Sequence, residues 1–120
     1  MTGPAQDDAE VAYMREVTAL AESLIAAEDP YEVALDIHGV SAHASIEVDP
    51  AGYVYLIWGE LTDWVELKPD EHEQAAAEMV RAAREWLSLD LADREDVARY
   101  LDYWVHDVCG YARRAGAGAD

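Results

Sequence analysis

Residues 53–67 read YVYLIWGELTDWVEL and form the most apolar stretch of this chain of 120 residues. Apolar and aromatic side chains occupy both the even and the odd positions, so each face of a strand placed here would carry them. Strands are recognised by side chains that alternate with a period of two, and by a high content of aromatic and β-branched residues. We therefore expect two strands, residues 53–58 and 63–67, joined by a loop at residues 59–62.

The segments before this stretch also alternate. Residues 31–38 and 42–48 place apolar and polar side chains in turn, which predicts half-buried strands. Residues 49–52 read DPAG, where proline presets φ for a turn and glycine suits a left-handed position. Pairing across the loops then sets Val48 opposite Val54 and Leu56 opposite Val65. The four segments together predict a four-stranded antiparallel β-meander.

Helices are expected on either side, because apolar residues recur there every three or four positions. The first helix should stop near Pro30, since the residue before a proline disfavours the α conformation. The expected fold class is α+β: an N-terminal helix, a four-stranded antiparallel β-meander and two C-terminal helices, in the order α-β-β-β-β-α-α, packed mainly on one sheet face. The expected helix caps are Asp7 or Asp8, then Asp70, then Asp93 or Asp90.

The length suits one domain with one core. We expect a flexible arm at residues 1–7, a single α+β domain at residues 8–114 and a disordered tail at residues 115–120. The N-terminus lacks the basic and apolar regions of a signal peptide, and no apolar run is long enough to span a bilayer. A cytoplasmic protein is therefore expected. The single cysteine, Cys109, excludes an internal disulfide bond and is more typical of a packed thiol than of a nucleophile.

The net charge is −18, from 26 carboxylates against eight lysines and arginines. Nucleic acid and anionic membranes would repel such a chain, so neither is expected as a direct partner. A basic protein would be attracted to it. The charge is equally consistent with simple solubility, and the acidic residues on the helices are typical of solvated faces. Rows of carboxylates could also imitate the phosphates of DNA, which would predict a DNA-mimic inhibitor of a nucleic-acid-binding protein.

In the predicted sheet, large side chains fall on the face opposite the helices, among carboxylates. Exposed aromatic clusters ringed by charge are typical of contact surfaces. A helix covering this face, or a homodimer formed across it, would explain the same pattern. The residues expected to bind a partner are Tyr53, Tyr55, Ile57, Trp64, Glu47, Glu60, Asp63, Glu66 and Asp36.

Motifs for chemistry are weak. His38 and His43, with Asp36, could approach a divalent metal, but the spacing is unspecific and a third firm ligand is missing. We expect no metal, no cofactor and no catalytic residue, since no nucleophile elbow, phosphate loop or zinc spacing occurs. A small-ligand pocket or an enzyme site between sheet and helices is the alternative. Its expected lining is Trp58, Trp86, Trp104 and Tyr100.

The leading hypothesis is therefore a small acidic protein that binds a basic partner, as an inhibitor, an immunity-type protein or an adaptor. The partner could be a toxin or a nucleic-acid-binding protein. In general character — small, very acidic and without a catalytic motif — the chain is similar to bacterial immunity proteins and phage-encoded inhibitors.

Overall fold

A computed structural model describes residues 4–112, and their side chains from residue 8 onward. Every regular element in this range is helical, and it contains no strand. The elements, in chain order, are α1 (Pro4–Ala26), α2 (Pro30–Ala44), α3 (Asp49–Leu67), a 3₁₀ turn (Pro69–Glu71), α4 (His72–Leu87), α5 (Arg94–Asp102) and a π-helical segment (Tyr103–Val108).

The predicted β-meander, and with it the α+β fold class, is wrong. The two prolines that were expected to end a helix and to make a hairpin turn instead begin helices. Pro30 is the first residue of α2, behind an N-cap by Asp29, whose side chain accepts a hydrogen bond from the backbone N–H of Tyr31 at 3.2 Å. Pro50 lies in the first turn of α3. Proline is well tolerated there, because the first-turn N–H groups have no partner within the helix.

The long apolar stretch is the inner side of α3. Its buried positions follow a spacing of three and four, as a helix requires and a strand does not. Helix propensities differ by less than about 0.7 kcal/mol for ordinary residues, whereas burial of one large apolar side chain contributes about 1.5–3 kcal/mol. Burial therefore outweighs the β preference of its valines and aromatics. The buried residues of α3 are Ala51, Val54, Ile57, Trp58, Leu61, Thr62 and Val65.

The three helices predicted outside this region are present. Asp93 caps α5, accepting hydrogen bonds from the backbone N–H groups of Glu95 at 3.0 Å and Asp96 at 3.4 Å. Asp70 does not cap α4, because it lies in the 3₁₀ turn that precedes that helix. The first helix starts at Pro4, before either of its expected caps. Residues 1–3 of the expected arm and the expected tail at 115–120 lie outside the described residues.

Helices α1 to α4 run antiparallel to their neighbours in an up-down-up-down bundle. Three long-range hydrogen bonds fix the directions: Tyr13 with Ser41 between α1 and α2, Tyr31 with Glu66 between α2 and α3, and Trp86 with Thr18 between α4 and α1. Helix α3 also packs against α4, which closes the bundle. Helix α5 and the π-helical segment pack along α3 and α4 as a fifth element.

The tryptophans that were expected to line a pocket fill the core instead. Trp58, Trp86, Trp104 and Tyr100 are all buried. The Tyr100 ring packs edge-on against Trp86, with 5.6 Å between centroids, and lies 6.2 Å from Trp104. Because the described residues contain no sheet, the expected position of this pocket is wrong, while binding of a small ligand or an enzymatic activity stays a prediction.

Candidate interaction surface

The expected partner-binding residues do not share one face. Residues two apart in a helix point about 200° apart, so Tyr53 and Tyr55 lie on opposite edges of α3. Both remain exposed, at 49% and 37%. A strand would have placed them side by side, and this difference divides the predicted surface in two.

Two of the predicted aromatic and apolar anchors are engaged inside the protein. Ile57 is fully buried, and its carbonyl oxygen lies 4.0 Å from the Sγ atom of Cys109. Trp64 is half-buried, and its indole N–H donates to the carboxylate of Glu71 at 2.7 Å. The prediction that Ile57 lies on an exposed face is therefore wrong.

The predicted carboxylates are exposed but scattered. Glu47 lies in the connection between α2 and α3, whereas Glu60 and Asp63 lie on α3. Glu60 accepts a hydrogen bond from the hydroxyl of Tyr111 at 3.4 Å, on the side of α3 that meets the C-terminal part. Loss of solvent, together with Glu60, raises the pKa of the Tyr111 phenol.

Three predicted residues, Tyr55, Asp63 and Glu66, lie on or beside the edge where α3 meets α2, and the charge of Asp63 acts on the phenol of Tyr31. Asp36 does not, because it lies two residues before His38 and points away from α3. The imidazole of His38 stacks on the ring of Tyr55, with 4.6 Å between centroids and 15° between planes. This close approach depends on Gly59, because a Cβ atom there would lie 3.2 Å from Nε2 of His38.

Further along the same edge, the Tyr31 hydroxyl donates to the Glu66 carboxylate at 3.0 Å. The ring of Tyr31 meets His72 edge-on, at 6.0 Å between centroids, and Nε2 of His72 lies 3.1 Å from the cap carboxylate of Asp29. Loss of solvent raises the pKa of the Tyr31 phenol, and the carboxylates of Glu66 and Asp29 raise it further. The turn between α1 and α2 is thus joined to the end of α3 and the start of α4.

Helix spacing brings further side chains to this edge. Leu35 follows Tyr31 by one turn and is 40% exposed, and Glu32 is exposed beside it. We name this surface the α2–α3 face. Its residues are Tyr31, Glu32, Leu35, His38, Tyr55, Asp63 and Glu66.

The charge around this face has one sign. Neither lysine nor arginine occurs between Arg15 and Lys68, so α2, α3 and the second half of α1 carry no permanent cation. Among the described residues the remaining cations are all on α4 and α5. The carboxylates of the interval are Glu16, Glu22, Glu28, Asp29, Glu32, Asp36, Glu47, Asp49, Glu60, Asp63 and Glu66.

Sequence reasoning missed Tyr31, Leu35 and His38 as parts of a contact surface. They are separated by four and three residues, which is one edge of a helix, but the alternation of residues 31–38 hid that spacing. The absence of lysine and arginine between Arg15 and Lys68 was also readable from the sequence, and it points to the same helices.

The described residues offer little for catalysis. No group of three or more His, Cys, Asp or Glu side chains within residues 4–112 could hold a metal ion. The thiol of Cys109 is half-buried, and loss of solvent, followed by the charge of Glu60, raises its pKa to about 12. A thiol with so high a pKa holds its proton near neutral pH and is a poor nucleophile.

Within the described part of the chain, no helix has the length and apolar character needed to cross a membrane. Comparison of the chain with protein-family models, with curated proteins and with solved structures finds no match.

Proposed function

We propose that this protein binds a basic protein partner through the α2–α3 face, as an inhibitor, an immunity-type protein or an adaptor. The observation that carries the proposal is that this face combines the exposed ring of Tyr55, and the half-buried rings of Tyr31 and His38, with carboxylates in a region that has no lysine or arginine. A cytoplasmic location and the lack of enzymatic activity, both expected from the sequence, remain part of the proposal.

The chemistry of the face fits a partner that presents arginine or lysine. The stacked rings of Tyr55 and His38 offer an apolar platform, and Tyr55 offers a ring face to a cation. The carboxylates of Glu32, Asp63 and Glu66 are exposed elsewhere along the same face. Aromatic residues that are rigidly held lose little entropy on binding, and surrounding charges mainly increase the rate of association.

The experiment is capture of proteins from an extract of the source organism by the immobilised protein, followed by measurement of affinity for the captured protein. The test variant removes three charges from the face: Glu32→Gln, Asp63→Asn and Glu66→Gln. The matched control removes three exposed charges elsewhere: Asp70→Asn, Glu73→Gln and Glu95→Gln.

We expect the captured protein to be basic and its binding to weaken with added salt. The face variant should lose at least about tenfold in affinity, as expected when several charge contacts are removed, and the control should lose much less. Tyr55→Ala should weaken binding without a loss of salt dependence, because it removes the platform and leaves the charges. Equal losses in the two triple variants would remove the α2–α3 face from the proposal, and a captured partner without excess positive charge would end it.

A further inference from the structure

A groove between α1 and α2 is not part of the α2–α3 face. It is open to solvent and holds about 440 Å³. Val40, which lines the groove, follows His38 by two residues and points about 200° away from it, so the groove lies on the other edge of α2. Its floor is mostly apolar: Tyr13 and Val48 are buried there, and Val40 and Ala44 are half-buried.

Two carboxylates stand on the rims of this groove. Glu16 is exposed on α1, and Glu47 is exposed just beyond the end of α2. Neither carboxylate makes a hydrogen bond or an ion pair with another described residue. None of the described residues that line the groove is a lysine or an arginine. Both charges are therefore available to a cationic partner.

The walls of the groove are low, so a partner can reach its floor. Ala12 on α1 and Gly39 on α2 are exposed and present little or no side chain. Nothing lies within 4 Å of a Cβ atom added at Gly39, so the space beside it is open. Ile46, which precedes Glu47 in the chain, is 91% exposed and extends the apolar surface at that end.

The geometry favours a helix as the occupant. Both walls are helices whose backbone groups are paired internally, so an extended peptide would find no strand edge with which to pair its own. A helix brings its backbone hydrogen bonds with it and presents apolar side chains every three or four residues. The α1 wall runs from Ala9 to Glu16, which is about 10 Å or roughly two turns of helix.

The charge of the molecule decides the sign of that helix. A second copy of the chain would bring its own net charge of −18 to the groove, and repulsion would oppose it. A helix with lysine or arginine on both sides of its apolar stripe would instead place cations against Glu16 on one rim and Glu47 on the other.

We propose that the groove between α1 and α2 binds a short amphipathic helix of a basic protein. Its apolar stripe lies on Tyr13, Val40 and Val48, and its flanking lysine or arginine side chains pair with Glu16 and Glu47. The site does not rest on the proposed function, because it lies on the other edge of α2 and is tested with different probes.

The test is a titration of the full chain into labelled synthetic peptides, followed by fluorescence anisotropy. Each peptide has about 15 residues, the length at which an isolated helix becomes stable. The first peptide carries leucine and alanine along one helical stripe and lysine on both flanks, the second has the same residues in scrambled order, and the third has glutamate for lysine. We expect saturable binding of the first peptide, at least about tenfold weaker binding of the second because its stripe is lost, and no binding of the third.

A variant that fills the groove tests its position. Ala12→Leu adds a large side chain at an exposed position of α1, so it should weaken binding of the first peptide at least about tenfold without disturbing the core. Ala77→Leu, at an exposed position of α4, is the matched control and should leave binding unchanged. Circular dichroism of each variant establishes that it is folded.

Charge variants test the rims. Glu16→Gln combined with Glu47→Gln should weaken binding of the first peptide about fivefold, as expected for two exposed ion pairs. Glu73→Gln combined with Glu95→Gln removes the same charge elsewhere and should weaken it much less. The triple variant of the α2–α3 face should have no more effect than this control, so a failure of the groove leaves the proposed function standing.

Four results would overturn the proposal. Equal binding of the ordered and the scrambled peptide would mean that only net charge is recognised. Equal effects of Ala12→Leu and Ala77→Leu would place the peptide outside the groove. Self-association of the chain alone, measured by sedimentation and lost in Ala12→Leu, would assign the groove to a second copy. A lack of saturable binding of the first peptide overturns the proposal as well.

Discussion

The imidazole ring of His38 lies almost parallel to the ring of Tyr55, with 4.6 Å between their centroids. One ring comes from α2 and the other from α3. The stack depends on a position without a side chain, because His38 occupies the space beside Gly59. Gly59 lies inside α3, where glycine is less favourable than alanine by about 0.5–1 kcal/mol. The helix therefore accepts a local cost at the point where the α2–α3 face is built.

Substitution of Gly59 by alanine should disturb the stack while changing stability little. The new Cβ would lie 3.2 Å from Nε2 of His38, so the ring has to move by a few tenths of an ångström. We expect this to offset much of the helix gain of about 0.5–1 kcal/mol. Ring-current shifts of the Tyr55 signals, measured by NMR, should change, and urea denaturation should give a free energy of unfolding within about 0.5 kcal/mol of the unaltered protein.

The matched control is Gly39→Ala in α2, where nothing lies within 4 Å of an added Cβ. It should gain the whole helix contribution, about 0.5–1 kcal/mol, and leave the Tyr55 signals unchanged. If Gly59→Ala stabilised the protein as much as Gly39→Ala and left the ring signals unmoved, His38 would not be seated against Gly59.

Truncation of Ile57 distinguishes the helical fold from the predicted sheet, because the two folds predict different losses of stability. Ile57 is fully buried, so Ile57→Ala should lower the free energy of unfolding by about 2–5 kcal/mol, as large-to-small core changes do. In the predicted meander the same residue lay on an outer face, where the loss would be within about 0.5 kcal/mol. Urea denaturation measures the difference, with Tyr53→Ala, at an exposed position of the same helix, as the control.

The fold could be predicted from the sequence only where the apolar residues follow a single period. Around Met79 and Trp86, and around Val97 and Tyr100, apolar residues are spaced by three and four with polar residues between them, and these segments are helices as expected. From residue 31 to residue 67, aromatic and β-branched residues fall on both parities, so periods of two and of 3.6 fit equally well.

Small buried residues carried the signal that was missing. Ala34 and Ser41 are fully buried in α2, and Ala51 and Thr62 are buried in α3. These residues complete the buried faces of α2 and α3. Their hydrophobicity is low, so they contribute little to a hydrophobic pattern that is read from the sequence. The hydroxyl of Thr62 donates to the carbonyl of Trp58, one turn earlier, at 2.8 Å, which satisfies it inside the helix.

The candidate site follows the same logic. Helical geometry brings Tyr55, Asp63 and Glu66 to the α2–α3 face, directs Asp36 away from it, sends Tyr53 to the opposite edge of α3 and buries Ile57. The sequence therefore indicated which residue types the contact surface contains. Their grouping could not be predicted, because a period of two and a period of 3.6 assign the same residues to different faces.

Stability should fall in alkaline solution. Burial raises the pKa of Tyr13 and of Tyr100 well above the ordinary value of 10.0. Above pH 10 an unfolded chain releases these protons while the folded protein keeps them, so unfolding becomes more favourable as pH rises. The full contribution is present below pH 10, and the free energy of unfolding should then fall by up to about 1.4 kcal/mol per pH unit for each tyrosine.

Urea denaturation between pH 8 and pH 12 measures this slope. Tyr100→Phe should remove about a third of it, because phenylalanine does not titrate and Tyr13 and the thiol of Cys109 supply the remainder, while its hydrogen bond to the carbonyl of Ala82 is lost at every pH. Tyr13→Phe should remove a similar share. A slope that Tyr100→Phe does not alter would mean that other groups cause the alkaline loss.

The bond between Tyr13 and Ser41 should contribute to stability as a coupled pair. The two hydroxyls lie 2.6 Å apart, and both residues are buried between α1 and α2. Ser41→Ala leaves the phenol without its partner, which should cost about 1–3 kcal/mol. Tyr13→Phe should cost less, because a serine hydroxyl within a helix can donate to a carbonyl one turn earlier.

The double variant Tyr13→Phe, Ser41→Ala tests the coupling. It should cost less than the two single changes added together, by about 1 kcal/mol, since neither hydroxyl is then left buried alone. Denaturation by urea of all four proteins at pH 7 gives the coupling free energy. Strict additivity would mean that this hydrogen bond does not hold α1 against α2, and that the burial of apolar residues such as Val17 and Ile37 does so instead.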